Sequence, residues 1–130
     1  MNWHLKCFSK ANEKEKIMAA KIRKRNGIMI LEPGGKIVRS SVSELREMIL
    51  PEIEAAEAPH ILINFEHVNR MDSSGLGTLA EVRTLASRKN GRIGVINVSQ
   101  QINDLIVLSR LVRVFERYDN EDAAVSGLSF

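Results

Sequence analysis

His60-Ile61-Leu62-Ile63-Asn64-Phe65, followed after a short gap by Met71-Asp72-Ser73-Ser74-Gly75-Leu76-Gly77, decides how this chain is read. The first run is almost continuously apolar and rich in isoleucine, as a strand is when both faces of an α/β sheet are covered. The second opens a different period. Leu76, Leu79, Ala80, Val82, Leu85 and Ala86 recur at helical spacing until Asn90-Gly91 closes the pattern. Strand, polar corner and helix in that order predict a crossover unit of an α/β sheet.

The flanks extend it. Downstream, Arg92-Ile93-Gly94-Val95-Ile96-Asn97-Val98 reads as another buried strand. Ser99 caps a helix carrying Ile102, Leu105, Ile106 and Leu108, and Val112, Val114 and Phe115 form a short last strand before a helix over 121–128. Upstream, Ile28-Met29-Ile30-Leu31 is a strand closed by Pro33-Gly34-Gly35, with Lys36-Ile37-Val38 returning as the second arm of a hairpin. Ser41 or Ser43 caps a helix marked by Val42, Leu45, Met48, Ile49 and Ile53, which Pro51 is expected to kink or restart. The sum is a single α/β domain over 26–130: a mixed sheet of four to five strands with about four helices packed on it.

The totals agree. A chain of 130 residues, 44% hydrophobic and 27% charged, has room for one core, and 5% aromatic content makes that core aliphatic. The single cysteine, Cys7, allows no internal disulfide and suits a reducing cytoplasm. No apolar run approaches the roughly 18 residues of a membrane span, and the first residues lack the apolar region of a signal peptide. The net charge of +3 is unevenly held. Residues 1–25 carry eight Lys and Arg against Glu13 and Glu15, or +6, which leaves 11 basic and 14 acidic residues, or −3, for the rest. Residues 1–25 are expected to be a flexible basic leader or a marginal helix capped by Ser9, with contact to an acidic surface as the functional alternative.

At the corner itself, Asp72, Ser73 and Ser74 all have side-chain oxygens that cap helix amides, and three in a row exceed what a cap requires. Gly75 and Gly77 each cost about 0.5–1 kcal/mol inside a helix, which suggests a close approach to the backbone. A phosphate on a serine here would meet free amides at the positive end of the helix dipole and add about −1.5 to −2 charge beside Asp72. Chemistry alone makes the segment a helix cap; phosphorylation is one use of it.

Met71-Asp72-Ser73-Ser74-Gly75-Leu76-Gly77 resembles the Asp-Ser-Ser/Thr-Gly-Leu-Gly signature of bacterial anti-sigma factor antagonists, which are small STAS domains. Ile61–Phe65 resembles the strand leading into that signature, and Asn90-Gly91 with the following strand and Leu105–Leu111 resembles the remainder, so that the likeness covers about 27–130. In that family an anti-sigma factor, itself a serine kinase, phosphorylates the first serine after the aspartate. The unphosphorylated antagonist holds the kinase and frees the sigma factor, and a phosphatase resets it. The resemblance implies Ser73 as phosphoacceptor and Asp72, Ser74, Gly75 and Leu76 as partner-binding residues. It also implies an anti-sigma factor serine kinase and a serine phosphatase acting on phospho-Ser73 as partners, in a cytoplasmic setting, with no cofactor and no catalysis by the chain itself. Many antagonists carry an acidic residue shortly after the Gly-x-Ile/Leu of the early hairpin; this chain has Gly35-Lys36-Ile37-Val38-Arg39, and its basic leader also departs from the pattern. The rival readings are a STAS subunit of a signalling or lipid-transport assembly and a nucleotide-binding STAS domain. No oligomeric state is implied.

Other chemistry lacks residues. A serine hydrolase needs a histidine and an acid around an elbow serine, yet His4, His60 and His67 are the only histidines and no Gly-x-Ser-x-Gly occurs. His60 and His67 are expected on the surface at strand ends. His4 and Cys7 are too few for structural zinc, and Gly75-x-Gly77 and Gly91-x-x-Gly94 match no phosphate loop or dinucleotide fingerprint. Nucleic-acid binding would rest on the leader alone.

Overall fold

The structure, a computed structural model, describes residues 18–110 and 115–129. Its elements in chain order are β1 (Met18–Arg25), β2 (Ile28–Ile37), α1 (Val42–Ala55), β3 (His60–Asn64), β4 (His67–Met71), α2 (Ser73–Arg88), β5 (Arg92–Ile96), α3 (Gln100–Leu108), β6 (Glu116–Arg117) and α4 (Glu121–Leu128). The sheet runs β1-β2-β3-β5-β6, and β4 pairs with the second half of β2. Only the β1–β2 pair is antiparallel. The mixed α/β sheet is as expected, with six strands among the described residues.

Alternation along the central strands builds two layers of core. Met29, Leu31, Ile61, Ile63, Ile93 and Val95 face one way and pack under α1, α2 and α3. Ile28, Ile30, Leu62 and Ile96 face the other way against Ala124, Val125 and Leu128 of α4. This two-sided burial is why β3 is buried at all five positions and reads as continuously apolar. His60 is therefore buried, at 5% exposure, rather than on the surface, because it starts the central strand; its Nδ1 lies 2.9 Å from the Ala58 carbonyl.

Residues 18–25 are not a marginal helix or loose leader: they form β1, joined to β2 by Asn26 and Gly27, both with positive φ (53° and 79°). That geometry is what a two-residue hairpin turn demands. Expectations for residues 1–17, and for Val112 and Val114, lie outside the described residues. The upstream hairpin also differs. Pro33-Gly34-Gly35 is not a turn but the middle of a ten-residue strand. β2 pairs with β3 up to Leu31 and with β4 from Gly34, so Pro33, which has no N–H for a ladder, falls between the two pairings. α1 runs through Pro51 without restarting; both Pro51 and Glu47, whose carbonyl loses its partner, are exposed. β6 begins one residue after Phe115, and α4 matches its expected span.

Arg23 of β1 donates to Glu32 (3.1 Å) and to Glu121 of α4, and Arg25 donates to Glu121 and Asp122 (2.7 Å each), fastening the edge strand to the far helix. The hydrogen bond from Arg23 holds both Glu32 and Glu121 below the usual carboxylate range. A carboxyl whose folded pKa is depressed adds stability above its unfolded pKa and loses it as pH falls through the folded value. The urea midpoint is thus expected to fall below pH 5, and less steeply in Arg23→Ala. Parallel curves for the two proteins would remove the network from the account.

Candidate functional site

β4 ends at Met71 and α2 begins at Ser73, so Asp72 alone makes the corner. Its backbone is extended (φ −110°, ψ −175°), and its side chain is the cap that the sequence offered three times. Oδ1 accepts from the Gly75 amide at 3.0 Å, and Oδ2 accepts from the Arg39 amide at 3.1 Å. The Asp72 amide in turn donates to the Ile37 carbonyl at 3.3 Å. One carboxylate thus starts α2 and holds the β2–α1 connection against it. Asp72→Ala is expected to cost about 1–2 kcal/mol, and Asp72→Asn, which keeps one acceptor oxygen, less; urea titration of the pair measures both.

Ser73 is the first residue of α2, with an exposed side chain that makes no hydrogen bond among the described residues. Ser74 is half-buried, and its carbonyl accepts from Thr78 Oγ1 at 3.0 Å. The first intrahelical bond runs from the Leu76 amide to the Asp72 carbonyl, so the Ser73 and Ser74 amides precede the helical ladder. A group attached to Ser73 Oγ would sit at the positive end of a sixteen-residue helix.

The two glycines have different reasons. A Cβ on Gly75 would stand 2.3 Å from the Ile37 carbonyl oxygen and 2.7 Å from Met71 Cγ, so here the close approach comes from the chain's own sheet. A Cβ on Gly77 would meet nothing within 4 Å. Gly77 lies one turn beyond Ser73 on the same exposed face. Gly75 and Leu76 are both buried, Leu76 at 2% exposure, and shape α2 from beneath.

Two supporting side chains were not foreseen in these roles. Gln101 of α3 accepts from the Met71 amide at 3.1 Å and donates to the Met71 carbonyl at 2.8 Å, acting as a missing neighbour strand for β4 just before the corner. Nothing local in the sequence announces that contact. Ser41 does stand at the N-cap of α1, but its buried hydroxyl makes no cap bond. It accepts from the Val38 amide at 2.9 Å and lies 2.8 Å from the Lys36 carbonyl, setting the loop that Asp72 holds.

Among the described residues no group of three or more His, Cys, Asp or Glu side chains could hold a metal ion, and no helix is long and apolar enough to cross a membrane. A cavity of about 280 Å³, lined by Leu50, Ile53, Glu54, Leu85, Arg88 and Lys89, opens between α1 and the far end of α2. At about 1.5 Å rise per residue it lies roughly 20 Å from Ser73. It is a separate feature.

The family model described as STAS domain matches residues 19–124. A curated relative from Paenibacillus polymyxa, named anti-sigma F factor antagonist, is 28% identical over 102 residues, covering 78% of this chain and 87% of its own. The solved anti-sigma factor antagonist from Mycobacterium paratuberculosis superposes with a TM-score of 0.76 at 20% identity, over 85% of this chain and 93% of that one. The Bacillus cell fate determinant SpoIIAA, an anti-sigma factor antagonist, is similar in both its forms at 22% identity. Its unphosphorylated structure gives a TM-score of 0.72 over 84% of this chain and 96% of that one; its phosphorylated structure gives 0.68 over 84% and 98%.

Proposed function

The chain belongs to the STAS domain family, and from that membership we propose that it is an anti-sigma factor antagonist switched by phosphorylation of Ser73. One observation carries the reading: Ser73 offers an exposed, unbonded hydroxyl at the first position of α2, while Asp72 spends both oxygens on amides and Ser74 is half-buried. The curated relative named as an anti-sigma F factor antagonist and a structural neighbour solved in both phosphorylation states support it.

With Ser73 unmodified, the exposed face of α2 and the adjoining β2–α1 loop receive an anti-sigma factor that is a serine kinase, and the sigma factor it held is released for transcription. The kinase transfers the γ-phosphoryl group of ATP to Ser73 Oγ, whose proton leaves as ADP is formed. The phosphate then stands at the interface and ends the association. A serine phosphatase acting on phospho-Ser73 hydrolyses the ester and restores the binding form. The chain is a cytoplasmic binding module that catalyses neither step and binds no nucleic acid directly.

Capture from the native host followed by a kinase reaction tests this. Ser73→Ala is expected to retain a serine kinase. Given ATP, that purified kinase is expected to add one phosphate to the wild type, read as intact mass, and none to Ser73→Ala. Phosphate on Ser73→Ala, or no kinase retained, defeats the reading.

A further inference from the structure

Seven of the fourteen Lys and Arg in the described residues are already engaged. Arg23, Arg25, Arg46 and Arg92 pair with carboxylates, Lys24 lies 4.0 Å from Glu52, Arg117 donates to Asn103, and Lys89 donates to the last carbonyls of α1. Of the seven that have no such partner, Lys36, Arg39 and Arg70 are exposed, and the topology gathers these three at the Ser73 corner. Lys36 and Arg70 are register neighbours across the β2–β4 pair, where strands run about 4.8 Å apart. The Arg39 amide is bonded to Asp72, the residue before Ser73.

Two carboxylates stand against them. Asp72 turns both oxygens to backbone amides, and Glu44 lies in the first turn of α1. Three cations less two anions leave the corner at +1, and a phosphate of about −1.5 to −2 brings it to about −0.5 to −1. The modification therefore changes the sign of the corner as well as its shape.

We propose that Lys36, Arg39 and Arg70 form the electrostatic part of the docking surface, that the face of the kinase meeting them is acidic, and that phosphorylation of Ser73 acts by reversing the sign of this corner. The proposal rests on Ser73 being the phosphoacceptor and adds the chemistry of the partner. Exposed charges at the rim of an interface act chiefly on the association rate and lose their effect as salt screens them.

The test measures association rates of the purified kinase retained by Ser73→Ala, at low and high NaCl. The chains compared are the wild type, Arg39→Glu/Arg70→Glu, and Lys21→Glu on the outer edge of β1 as a distant control. At about 50 mM NaCl the double reversal is expected to associate roughly tenfold more slowly than wild type, with Lys21→Glu unchanged. At about 500 mM the three are expected to converge. Arg39→Gln/Arg70→Gln should fall between, and serves in place of the reversal should thermal melts show that the reversal does not fold. Equal or faster association by the double variant overturns the acidic partner while leaving the Ser73 reading intact. Failure of Ser73→Ala to retain any serine kinase overturns both.

Discussion

Gly75→Ala is expected to cost about 3 kcal/mol or more, whereas Gly77→Ala, two residues on, is expected to gain about 0.5–1 kcal/mol. A methyl group on Gly75 would sit 2.3 Å from the Ile37 carbonyl oxygen, a backbone atom in the last residue of β2 that also accepts from the Asp72 amide. It has nowhere to go without lifting α2 off the sheet, and with it the Asp72 contacts to Gly75 and Arg39. The midpoint of thermal unfolding should fall by roughly 10 °C or more. At Gly77 the methyl meets open space, so only the helix propensity is felt. The two substitutions are made two residues apart in one helix, one on its buried and one on its exposed face, so each controls for the other. A melt showing Gly75→Ala within about 1 kcal/mol of wild type would falsify the close-packing account. Gly77→Ala carries a second readout: a more stable chain that binds its kinase less well would place the open face of α2 inside the interface.

What the sequence disclosed about this site was what is written in consecutive residues. Asp72-Ser73-Ser74 announced a helix start because capping is local chemistry, and the period of Leu76, Leu79 and Val82 marked the face that α2 buries. β3 and β5 were legible because burial on both faces leaves no polar alternation to confuse. The strands that escaped were edge elements. β1 is Lys-, Arg- and Ala-rich, a composition suited equally to a helix, and only the Asn26-Gly27 pair carried the hairpin signal. β4 buries just Val68 and Met71, too few for a period to show. Pro33-Gly34-Gly35 has the composition of a turn, and its place in β2 follows from where β3 ends and β4 begins, a fact about other parts of the chain. The second oxygen of Asp72 and the Gln101 bracket on Met71 are likewise long-range, joining residues 33 and 30 positions apart. The residue at the corner could be read from the sequence; what holds it in place could not.

Ser73→Asp is expected to weaken binding of the kinase by about 2–5 kcal/mol, a loss of roughly 30- to several-thousand-fold in affinity, because the new charge would be buried in the interface against an acidic face of the kinase. A loss of binding could also come from damage to the fold, and here the two causes predict opposite signs. An aspartate in the first turn of α2 faces the positive end of the helix dipole and should raise stability by about 0.3–1 kcal/mol. Stability and affinity are therefore expected to move apart in Ser73→Asp, a pattern that a merely disruptive substitution does not give. Ser74→Asp supplies the comparison. It adds the same charge one position further into the same helix turn, on a side chain that is half-buried rather than exposed. Calorimetric titration of the purified kinase with the three chains, alongside their melts, reads both quantities. Affinity of Ser73→Asp equal to wild type would end the switch. A greater loss in Ser74→Asp than in Ser73→Asp would move the phosphoacceptor to Ser74, because the interface would then be closing over the second serine of the turn.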